Sequence, residues 1–299
     1  MIIVQLKGGL GNQMFQYACG RSISHKFGVP LAINTSVFDN GNQQENNIHR
    51  NFELNIFSIH TKIISDSDLE RFGFNSSGSF YSRLFAFIRR KKHRFSIVSE
   101  NEFVEYLNDH KALKGIVLLS GYFQSEKYFK GISELIRKDF TFLPQISTQN
   151  LTYINQIGSS NSVSIHIRRG DYVTNGFTNK FHGTCNFEFY QKAISFIEMR
   201  EKNLHFFIFS DDIQWVKDNM QLGHPFTIVQ CNLGQNSFED MRLMSLCKHN
   251  IIANSSFSWW GAWLNLNKDK IVVAPKNWFA NEEMNARSHD LIPNSWIRL

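Results

Sequence analysis

The sequence predicts an α/β fold of two domains, in which helices cover parallel sheets arranged in a doubly wound order. Short apolar runs alternate with longer stretches of helical periodicity, which is the pattern of parallel sheets. The length of 299 residues suits two domains, and 42% hydrophobic with 19% charged residues is typical of globular proteins. The polar residues 145–160 suggest the boundary, so the domains are placed at residues 1–150 and 151–299.

The predicted strands are short apolar runs, and the predicted helices lie between them. In the first half, strands are expected at residues 2–6, 31–33 and 116–119, with helices at 13–27 and around 126–140. Residues 40–110 are polar and irregular, and no element is predicted there. In the second half, strands are expected at residues 163–168, 205–209, 226–229, 250–253 and 271–274, with helices near 187–201, 213–220, 237–248 and 256–266.

Polar clusters follow four of these strands directly, which is the strongest functional signal in the residues themselves. The clusters are Gly8-Gly9-Leu10-Gly11-Asn12-Gln13, Arg168-Arg169-Gly170-Asp171-Tyr172, Ser210-Asp211-Asp212 and Asn254-Ser255-Ser256. In open α/β sheets, ligands bind in the crevice beyond the carboxyl ends of the strands. A ligand site is therefore expected at these strand ends.

The glycine turn after the first strand lets the backbone approach a phosphate or a sugar closely, and the following helix offers free N–H groups. It does not match a dinucleotide-binding fingerprint. Met14 occupies the third glycine position, and Asn34 stands where an acid is expected at the end of the second strand. Binding of NAD is excluded on this basis, and a tight strand-to-helix turn alone is the alternative.

The paired arginines lie where the strand at residues 163–168 leaves the sheet. Strand alternation places His166 and Arg168 on the same face, and Arg169 follows at the strand end. A guanidinium group at this position can hold a diphosphate through two parallel hydrogen bonds. The alternative is a structural ion pair between an arginine and Asp171.

Two further clusters have both a structural and a ligand-binding interpretation. Ser255 and Ser256 begin a helix, where serine commonly serves as the N-cap, and the same helix start can hold phosphate oxygens. The cluster Ser210-Asp211-Asp212 can cap the next helix, or a carboxylate at this place can accept hydrogen bonds from the N1–H and the exocyclic amine of a guanine. The residues alone do not separate these readings.

No metal site is predicted. Asp66-Ser67-Asp68 has the DxD pattern, but it does not follow a convincing apolar strand and is interpreted as the start of a helix. No HxxxH or HExxH spacing is present. The four cysteines have no metal-binding spacing and are expected to be free thiols.

The net charge of +6 favours an anionic partner. The densest basic run, at residues 89–94, follows the apolar residues 84–88, so it either contacts an anionic membrane surface or forms a solvated helix face. Nucleic acid is not expected, because the other basic residues are dispersed. The sequence has no run of 18 apolar residues and no signal-peptide pattern at its start, so a cytoplasmic location is expected.

Several blocks of the sequence resemble the inverting α-1,2-fucosyltransferases of glycosyltransferase family 11. These blocks are residues 8–16 (GGLGNQMFQ), 121–125 (GYFQS), 165–173 (IHIRRGDYV), 209–215 (FSDDIQW) and 250–265 (NIIANSSFSWWGAWLN). They occur in the order of the family and span nearly the whole chain. Residues 182–185 and 187–190 are most similar to family members that build bacterial O-antigen.

The resemblance implies a GT-B fold, with two Rossmann-like domains facing a central cleft. The C-terminal domain would bind GDP-fucose, and the N-terminal domain most of the acceptor. It also implies transfer of fucose, without a metal and with inversion, to the 2-hydroxyl of a terminal β-galactose. The acceptor would belong to a lipid-linked oligosaccharide at the inner face of the bacterial inner membrane.

The resemblance also assigns roles to individual residues. Arg169 matches the arginine that contacts the β-phosphate, and His166 and Arg168 belong to the same donor-binding block. Asp211 matches an acid near the guanine. The remaining assignments are Ser255 and Ser256 at the phosphate, and Gly11 and Asn12 at the fucose and diphosphate.

A catalytic base can take the proton of the acceptor hydroxyl, and Asp171 is the first candidate. Its structural alternative is to orient Arg168 or Arg169, and a late proton transfer would need no strong base. Two other functions compete with this reading. One is a sugar- or nucleotide-binding protein without activity, with Trp259, Trp260, Trp263, Trp278 and Trp296 as stacking platforms. The other is a transferase that uses another donor, such as GDP-mannose.

Overall fold

A computed structural model of the protein describes residues 1–39, 50–74, 88–100, 115–170 and 183–299. The chain divides into two compact units, Met1–Leu143 and Pro144–Leu299. The division therefore falls after residue 143 rather than after residue 150. Most of the polar stretch at 145–160, expected to contain the boundary, is helical and belongs to the second unit.

In the described part of the first unit, five strands form one sheet in the order β3-β2-β1-β5-β4. All of its strand pairs are parallel. The strands are β1 Ile2–Gln5, β2 Leu31–Asn34, β3 Lys62–Ile64, β4 Phe95–Ser99 and β5 Ile116–Ser120. The central strand β1 is fully buried at Ile2, Ile3 and Val4, which explains its continuous apolar run.

Helices of the first unit connect these strands. They are α1 Leu10–Phe27, α2 Ser36–Asp39, α3 Asp66–Phe72 and α4 Ser133–Asp139, and residues 88–93 are also helical. The prediction of one helix around residues 126–140 is wrong, because two short 3-10 turns precede α4. Phe129 separates these turns with a φ of −137°, and its buried ring packs against Phe15. Tertiary packing thus interrupts the helix at this residue.

The expectation of an irregular segment at residues 40–110 is also wrong where the structure describes it. Strands β3 and β4 and helix α3 lie within that range. Both strands are at the edges of the sheet, where Ile63 is 53% exposed and Ile97 is 42% exposed. Short edge strands carry a weak apolar signal, because only one side is covered.

The second unit contains a parallel sheet whose described strands have the order β11-β10-β9-β6-β7-β8. The strands are β6 Asn161–Ile167, β7 Leu204–Ser210, β8 Phe226–Val229, β9 His249–Ile251, β10 Val272–Ala274 and β11 Ile297–Arg298. The chain runs outward from β6 through β7 to β8, and then begins again at β9 on the other side of β6. The carboxyl ends of β6 and β9 therefore form the topological switch point of this sheet.

Helices pack on both faces of the second sheet, and the predicted doubly wound arrangement is confirmed. They are α5 Thr148–Gly158, α6 Phe187–Glu198, α7 Ile213–Asn219, α8 Phe238–Leu246, α9 Ser256–Leu264 and α10 Glu282–Arg287. One core contains Val163, Ile165 and Ile167 with residues of α6, and the opposite core contains Phe207 and Phe209 with residues of α8. Burial on both faces holds the ends of β6 and β7 rigidly.

Candidate functional site

The switch point of the second unit brings together two of the polar clusters that the sequence singled out. Arg168 and Arg169 follow the end of β6, and Asn254, Ser255 and Ser256 follow β9. These two strands are direct neighbours in the sheet. The third cluster, at the end of β7, borders the arginines from the other side.

Asp211 binds the chain as it leaves β6. The side chain of Arg168 forms an ion pair with it at 3.0 Å, and the backbone N–H of Arg169 donates to its Oδ1 atom at 2.8 Å. Gly170 allows this close approach, because a Cβ atom at that position would lie 2.8 Å from the carboxylate. A larger residue would displace Asp211, so this glycine is a steric requirement of the site.

Asp211 is ionised at neutral pH. Burial alone would raise its pKa, but the charge of Arg168 and the backbone N–H groups of Arg169 and Gly170 outweigh burial and lower the pKa. The contact of Asp211 with a guanine remains a prediction.

Asp212 is the N-cap of α7, as expected for this cluster. Its Oδ1 atom accepts the backbone N–H of Trp215 at 3.0 Å. Its second oxygen lies 3.4 Å from the Nε atom of Arg169. The same guanidinium group stacks on the indole of Trp215, with 4.2 Å between its central carbon and the ring centroid.

The side chain of His166 lies beneath the strand end and is 5% exposed. Burial lowers the pKa of His166 to about 4, against the opposing charge of Asp211, so the ring is neutral at pH 7. Its Nδ1 atom is buried and has no hydrogen-bond partner among the described residues, and the ring packs against Phe257. The hydroxyl of Tyr190 donates to the backbone carbonyl of His166 at 3.1 Å. Direct contact of His166 with a donor remains a prediction.

Ser255 is the N-cap of α9, and its hydroxyl accepts the backbone N–H of Phe257 at 3.3 Å. Ser256 is the first helical residue and is partly exposed. The first turn of α9 contains no acidic side chain. Its positive end can therefore bind an anion, which is compatible with the capping role of Ser255.

A pocket of about 290 Å³ lies beside this helix start, at the carboxyl ends of β9 and β10. Thr184, Cys185, Asn186, Asn254, Lys276 and Phe279 are among the residues that line it. Asn254 shapes its wall, because its amide donates to the carbonyls of Gly183 and Trp278. Much of the polar lining is thus already engaged within the protein.

In the first unit, Gly11 and Asn12 lie at the start of α1, directly after β1. The side chain of Gln124 donates to the Oδ1 atom of Asn12 at 2.7 Å. The carboxyl group of Glu53 accepts the backbone N–H of Leu10, so a side chain of the protein already occupies this helix start. Contacts of Gly11 and Asn12 with the fucose and the diphosphate remain predictions.

The structure tests the expectation about the DxD sequence. Asp66 and Asp68 belong to the first turn of α3, whose N-cap is Ser65, and Asp68 completes its capping box. The interpretation of this DxD sequence as a helix start is therefore confirmed. In residues 1–39, 50–74, 88–100, 115–170 and 183–299, no group of three His, Cys, Asp or Glu side chains is arranged to hold a metal ion.

The alternative reading in which tryptophans form sugar-stacking platforms is contradicted by their burial. The five tryptophans named for this role are between 0% and 8% exposed: Trp259, Trp260, Trp263, Trp278 and Trp296. Several of them pack ring against ring in the core around α9. The sixth tryptophan, Trp215, is partly exposed beside Arg169.

Sequence reasoning gave Asp212 only a possible role as a helix cap within its cluster, and it gave Trp215 no role. A usable signal was present, since an N-cap and the residue three positions later lie close together at a helix start.

Asp171, the candidate base, lies outside the described residues. The four cysteines are free thiols, as predicted. None of the helices in the described part of the chain combines the length and the apolar content that crossing a bilayer requires.

The fold defines the class of architecture as GT-B, built from α/β units with parallel sheets. Solved structures with the same fold include NodZ α-1,6-fucosyltransferase co-crystallised with GDP, which is 14% identical with a TM-score of 0.52 over 87% of this chain and 91% of that one. Arabidopsis thaliana FUT1 in complex with GDP is 11% identical, with a TM-score of 0.53 over 99% of this chain and 75% of that one. Similarity at this level establishes the fold.

The chain belongs to glycosyltransferase family 11, whose model matches residues 115–299. It is 34% identical over 312 residues to the O-antigen biosynthesis glycosyltransferase WbnK of Escherichia coli, covering 98% of this chain and 99% of that protein. It is 35% identical over 308 residues to an α-1,2-colitosyltransferase of Escherichia coli, covering 100% and 99%. Galactoside α-(1,2)-fucosyltransferase 1 of Rattus norvegicus is 30% identical over 156 residues, covering 49% and 41%. The predicted family is confirmed.

Proposed function

We propose that this glycosyltransferase moves L-fucose from GDP-β-L-fucose to the 2-hydroxyl of a terminal β-galactose, with inversion and without a metal. The observation that carries the proposal is the pair Arg168 and Arg169 at the switch point, held by carboxylates of the neighbouring strand and close to the start of α9. A related protein is named a galactoside α-(1,2)-fucosyltransferase, and the fold is shared with a fucosyltransferase crystallised with GDP.

The donor diphosphate is assigned to the end of β6 and the start of α9. Arg169 would hold the β-phosphate, with Arg168 beside it, and Ser255 and Ser256 would present the N-terminus of α9 to the phosphate oxygens. Charge on the departing GDP grows in the transition state of a single inverting displacement. Donors fixed at that position therefore accelerate the reaction more than they strengthen substrate binding. Asp171 is the proposed base for the acceptor hydroxyl.

The acceptor is proposed to be a galactose-terminated oligosaccharide of O-antigen synthesis, attached to a lipid carrier. Similarity to an O-antigen glycosyltransferase supports this class of acceptor. Lys91, Lys92 and Arg94 have exposed side chains, and a cluster of basic residues is attracted to an anionic bilayer. Peripheral contact of the basic segment at residues 89–94 with the cytoplasmic membrane face is part of the proposal.

Transfer of colitose is the second candidate function. It is favoured by the 35% identity, over the full chain, to a protein named α-1,2-colitosyltransferase. Colitose differs from fucose by the absence of the hydroxyl at C3, so both donors present the same diphosphate to the arginines. The two candidates therefore differ only in the preference for the transferred sugar.

The deciding experiment compares GDP-fucose, GDP-colitose and GDP-mannose with a panel of β-galactose-terminated disaccharides. GDP release is measured, and the product linkage is determined by NMR. We expect α-1,2-linked fucose and a loss of at least about 100-fold in kcat/KM for Arg169→Ala, the scale on which a transition-state donor acts. Arg200→Ala is the matched control, since Arg200 is another stacked arginine of the same unit and contacts Phe196.

Preference for GDP-colitose would select the second candidate, and preference for GDP-mannose would replace both. No GDP release with any donor and acceptor would leave a binding protein without activity. Full turnover by Arg169→Ala would contradict the assignment of the diphosphate.

A further inference from the structure

Two residues of α7 bind the guanidinium group of Arg169 from two different directions. Trp215 covers one face of the group, with 4.2 Å between the guanidinium carbon and the ring centroid. Asp212 lies at its edge, 3.4 Å from the Nε atom. Stacking fixes the plane of the guanidinium, and the contact at Nε fixes its rotation within that plane.

These two partners are themselves rigid. Asp212 accepts the backbone N–H of Trp215 and donates its own N–H to the hydroxyl of Ser210 at the end of β7. The indole of Trp215 also packs against the buried core between β6 and α6. The orientation of Arg169 is therefore coupled to a buried strand and to the first turn of a helix.

The contacts leave the outer edge of the guanidinium available. Within the residues that the structure describes, neither terminal Nη group of Arg169 donates a hydrogen bond to another side chain or carbonyl. The side chain is 21% exposed, so this edge is accessible from outside the protein. Two parallel N–H groups in one plane match the two oxygens of a phosphate.

We propose that Trp215 and Asp212 are positioning residues that hold Arg169 ready to bind the terminal phosphate of the donor diphosphate. The inference rests on the proposed function, because it assumes that Arg169 contacts that phosphate. An unrestrained arginine loses rotamer freedom when it binds a ligand, whereas a guanidinium already stacked and paired loses much less. The stacked arginine therefore binds the diphosphate more tightly and with a defined direction.

The test compares the affinities of GDP and GMP, because only GDP has the second phosphate. Calorimetry on the wild-type protein gives a reference ratio of the two affinities. Trp215→Leu removes the aromatic face, and we expect the preference for GDP to fall roughly 3- to 30-fold, the range spanned by such contacts. GMP affinity should stay within about twofold. Trp215→Phe keeps a ring and should retain most of the preference.

Asp212→Asn separates the two roles of Asp212. Asparagine is an equally good N-cap, so α7 and its hydrogen bond to Trp215 are preserved, while the charge beside Nε is removed. We expect a loss of GDP preference of a few fold with an unchanged melting temperature. This variant keeps the test decisive if Trp215→Leu folds poorly. Phe196→Leu is the matched control, because it removes a stacked partner from Arg200 elsewhere in the same unit.

A double-mutant cycle with Arg169→Ala distinguishes positioning from general damage. If Trp215 acts through Arg169, then Trp215→Leu should weaken GDP binding no further once Arg169 is absent. Equal effects of Trp215→Leu on GDP and GMP, or full additivity in the cycle, would overturn the inference. A wild-type protein that binds GMP as well as GDP would instead overturn the proposed diphosphate contact, on which the inference depends.

Discussion

Arg168 and Asp211 form an ion pair of 3.0 Å between the ends of two neighbouring parallel strands. The register of β6 and β7 pairs Ile167 with Ser210, so the next residue of each strand lies beside the other. The two side chains are 25% and 26% exposed, which leaves them partly desolvated. Their pairing therefore fixes the chain at the point where it leaves β6.

Asp211→Ala should destabilise the protein by about 1–3 kcal/mol at pH 7, because Arg168 and two backbone N–H groups lose their acceptor. Urea unfolding measures the difference from the wild type. The pKa of Asp211 is lowered below its usual 3.8, so its contribution is present above that pH and is lost as the pH falls through the lower folded value. The difference should shrink below about pH 4. A constant difference down to pH 2 would contradict the role of its charge.

The buried ring of His166 should make the free energy of unfolding depend on pH in a higher range than Asp211 does, between about pH 4 and pH 6.5. Its pKa falls from 6.5 to about 4 on folding, so the unfolded chain binds the proton more readily between these values. The free energy of unfolding should decrease by roughly 3 kcal/mol as the pH falls from 6.5 to 4. His166→Gln should remove this part of the dependence. An identical pH profile in the variant would show that His166 is not the responsible group.

The elements that sequence predicted best are those buried on both faces. Strands β6 and β7 are continuous apolar runs, and both were located within two residues. Helix α5 was not predicted, because its sequence is mainly polar and only Asn150 and Ile157 are buried. Its face toward α8 combines the apolar residues Tyr153, Ile154 and Ile157 with an amide network between Asn150 and Asn232. An apolar stripe this short, within a mainly polar segment, is a weak periodic signal in the sequence.

The residues of the candidate site also divide into those that the sequence identifies and those that only the fold reveals. Arg168 and Arg169 were identified from their position at a strand end, which a single segment of sequence reveals. Their partners Asp211 and Asp212 are more than 40 residues away, and the contacts depend on the register between two strands. The sequence offered Asp171, which lies outside the described residues, as one possible structural partner of the arginines, and the contacts that the structure describes are made by the end of β7. Contacts between residues this far apart in the sequence can be identified only when the fold is known.

Variants of Ser255, the N-cap of α9, test whether its hydroxyl only caps the helix or also contacts phosphate. Ser255→Ala removes the acceptor for the N–H of Phe257 and should destabilise the protein by about 1 kcal/mol. Ser255→Gly should cost only a few tenths of that, since glycine is a tolerated N-cap. If the hydroxyl also contacts phosphate, both variants should weaken GDP binding equally. Weaker GDP binding in the alanine variant alone would indicate that only the helix cap matters.

Glu53 at the start of α1 should lower stability at neutral pH. Burial raises its pKa, against the backbone N–H of Leu10 and the charge of Arg50, so the ionised form is disfavoured in the folded state. A raised carboxyl pKa means that stability is fully present below the unfolded value near 4.5 and is lost as the pH rises through the folded value. Glu53→Gln should therefore be more stable than the wild type at pH 7 and similar to it at pH 4. Glu70→Gln on the exposed side of α3 is the control, and a destabilised Glu53→Gln variant at pH 7 would contradict the argument.

Removal of metal ions should leave transfer activity unchanged. The guanidinium groups of Arg168 and Arg169 and the N–H groups at the start of α9 can stabilise a departing diphosphate by hydrogen bonding, which is the task that a divalent ion performs in other transferases. The DxD sequence is not available for a metal in its folded conformation, since Asp68 accepts the N–H of Ser65 within the capping box of α3. Initial rates measured with EDTA, and again after addition of Mg²⁺ or Mn²⁺, check this expectation. Activity that disappears with EDTA and returns with one of the ions would assign the stabilisation of the leaving group to a metal, and the two arginines would then serve only to orient the donor.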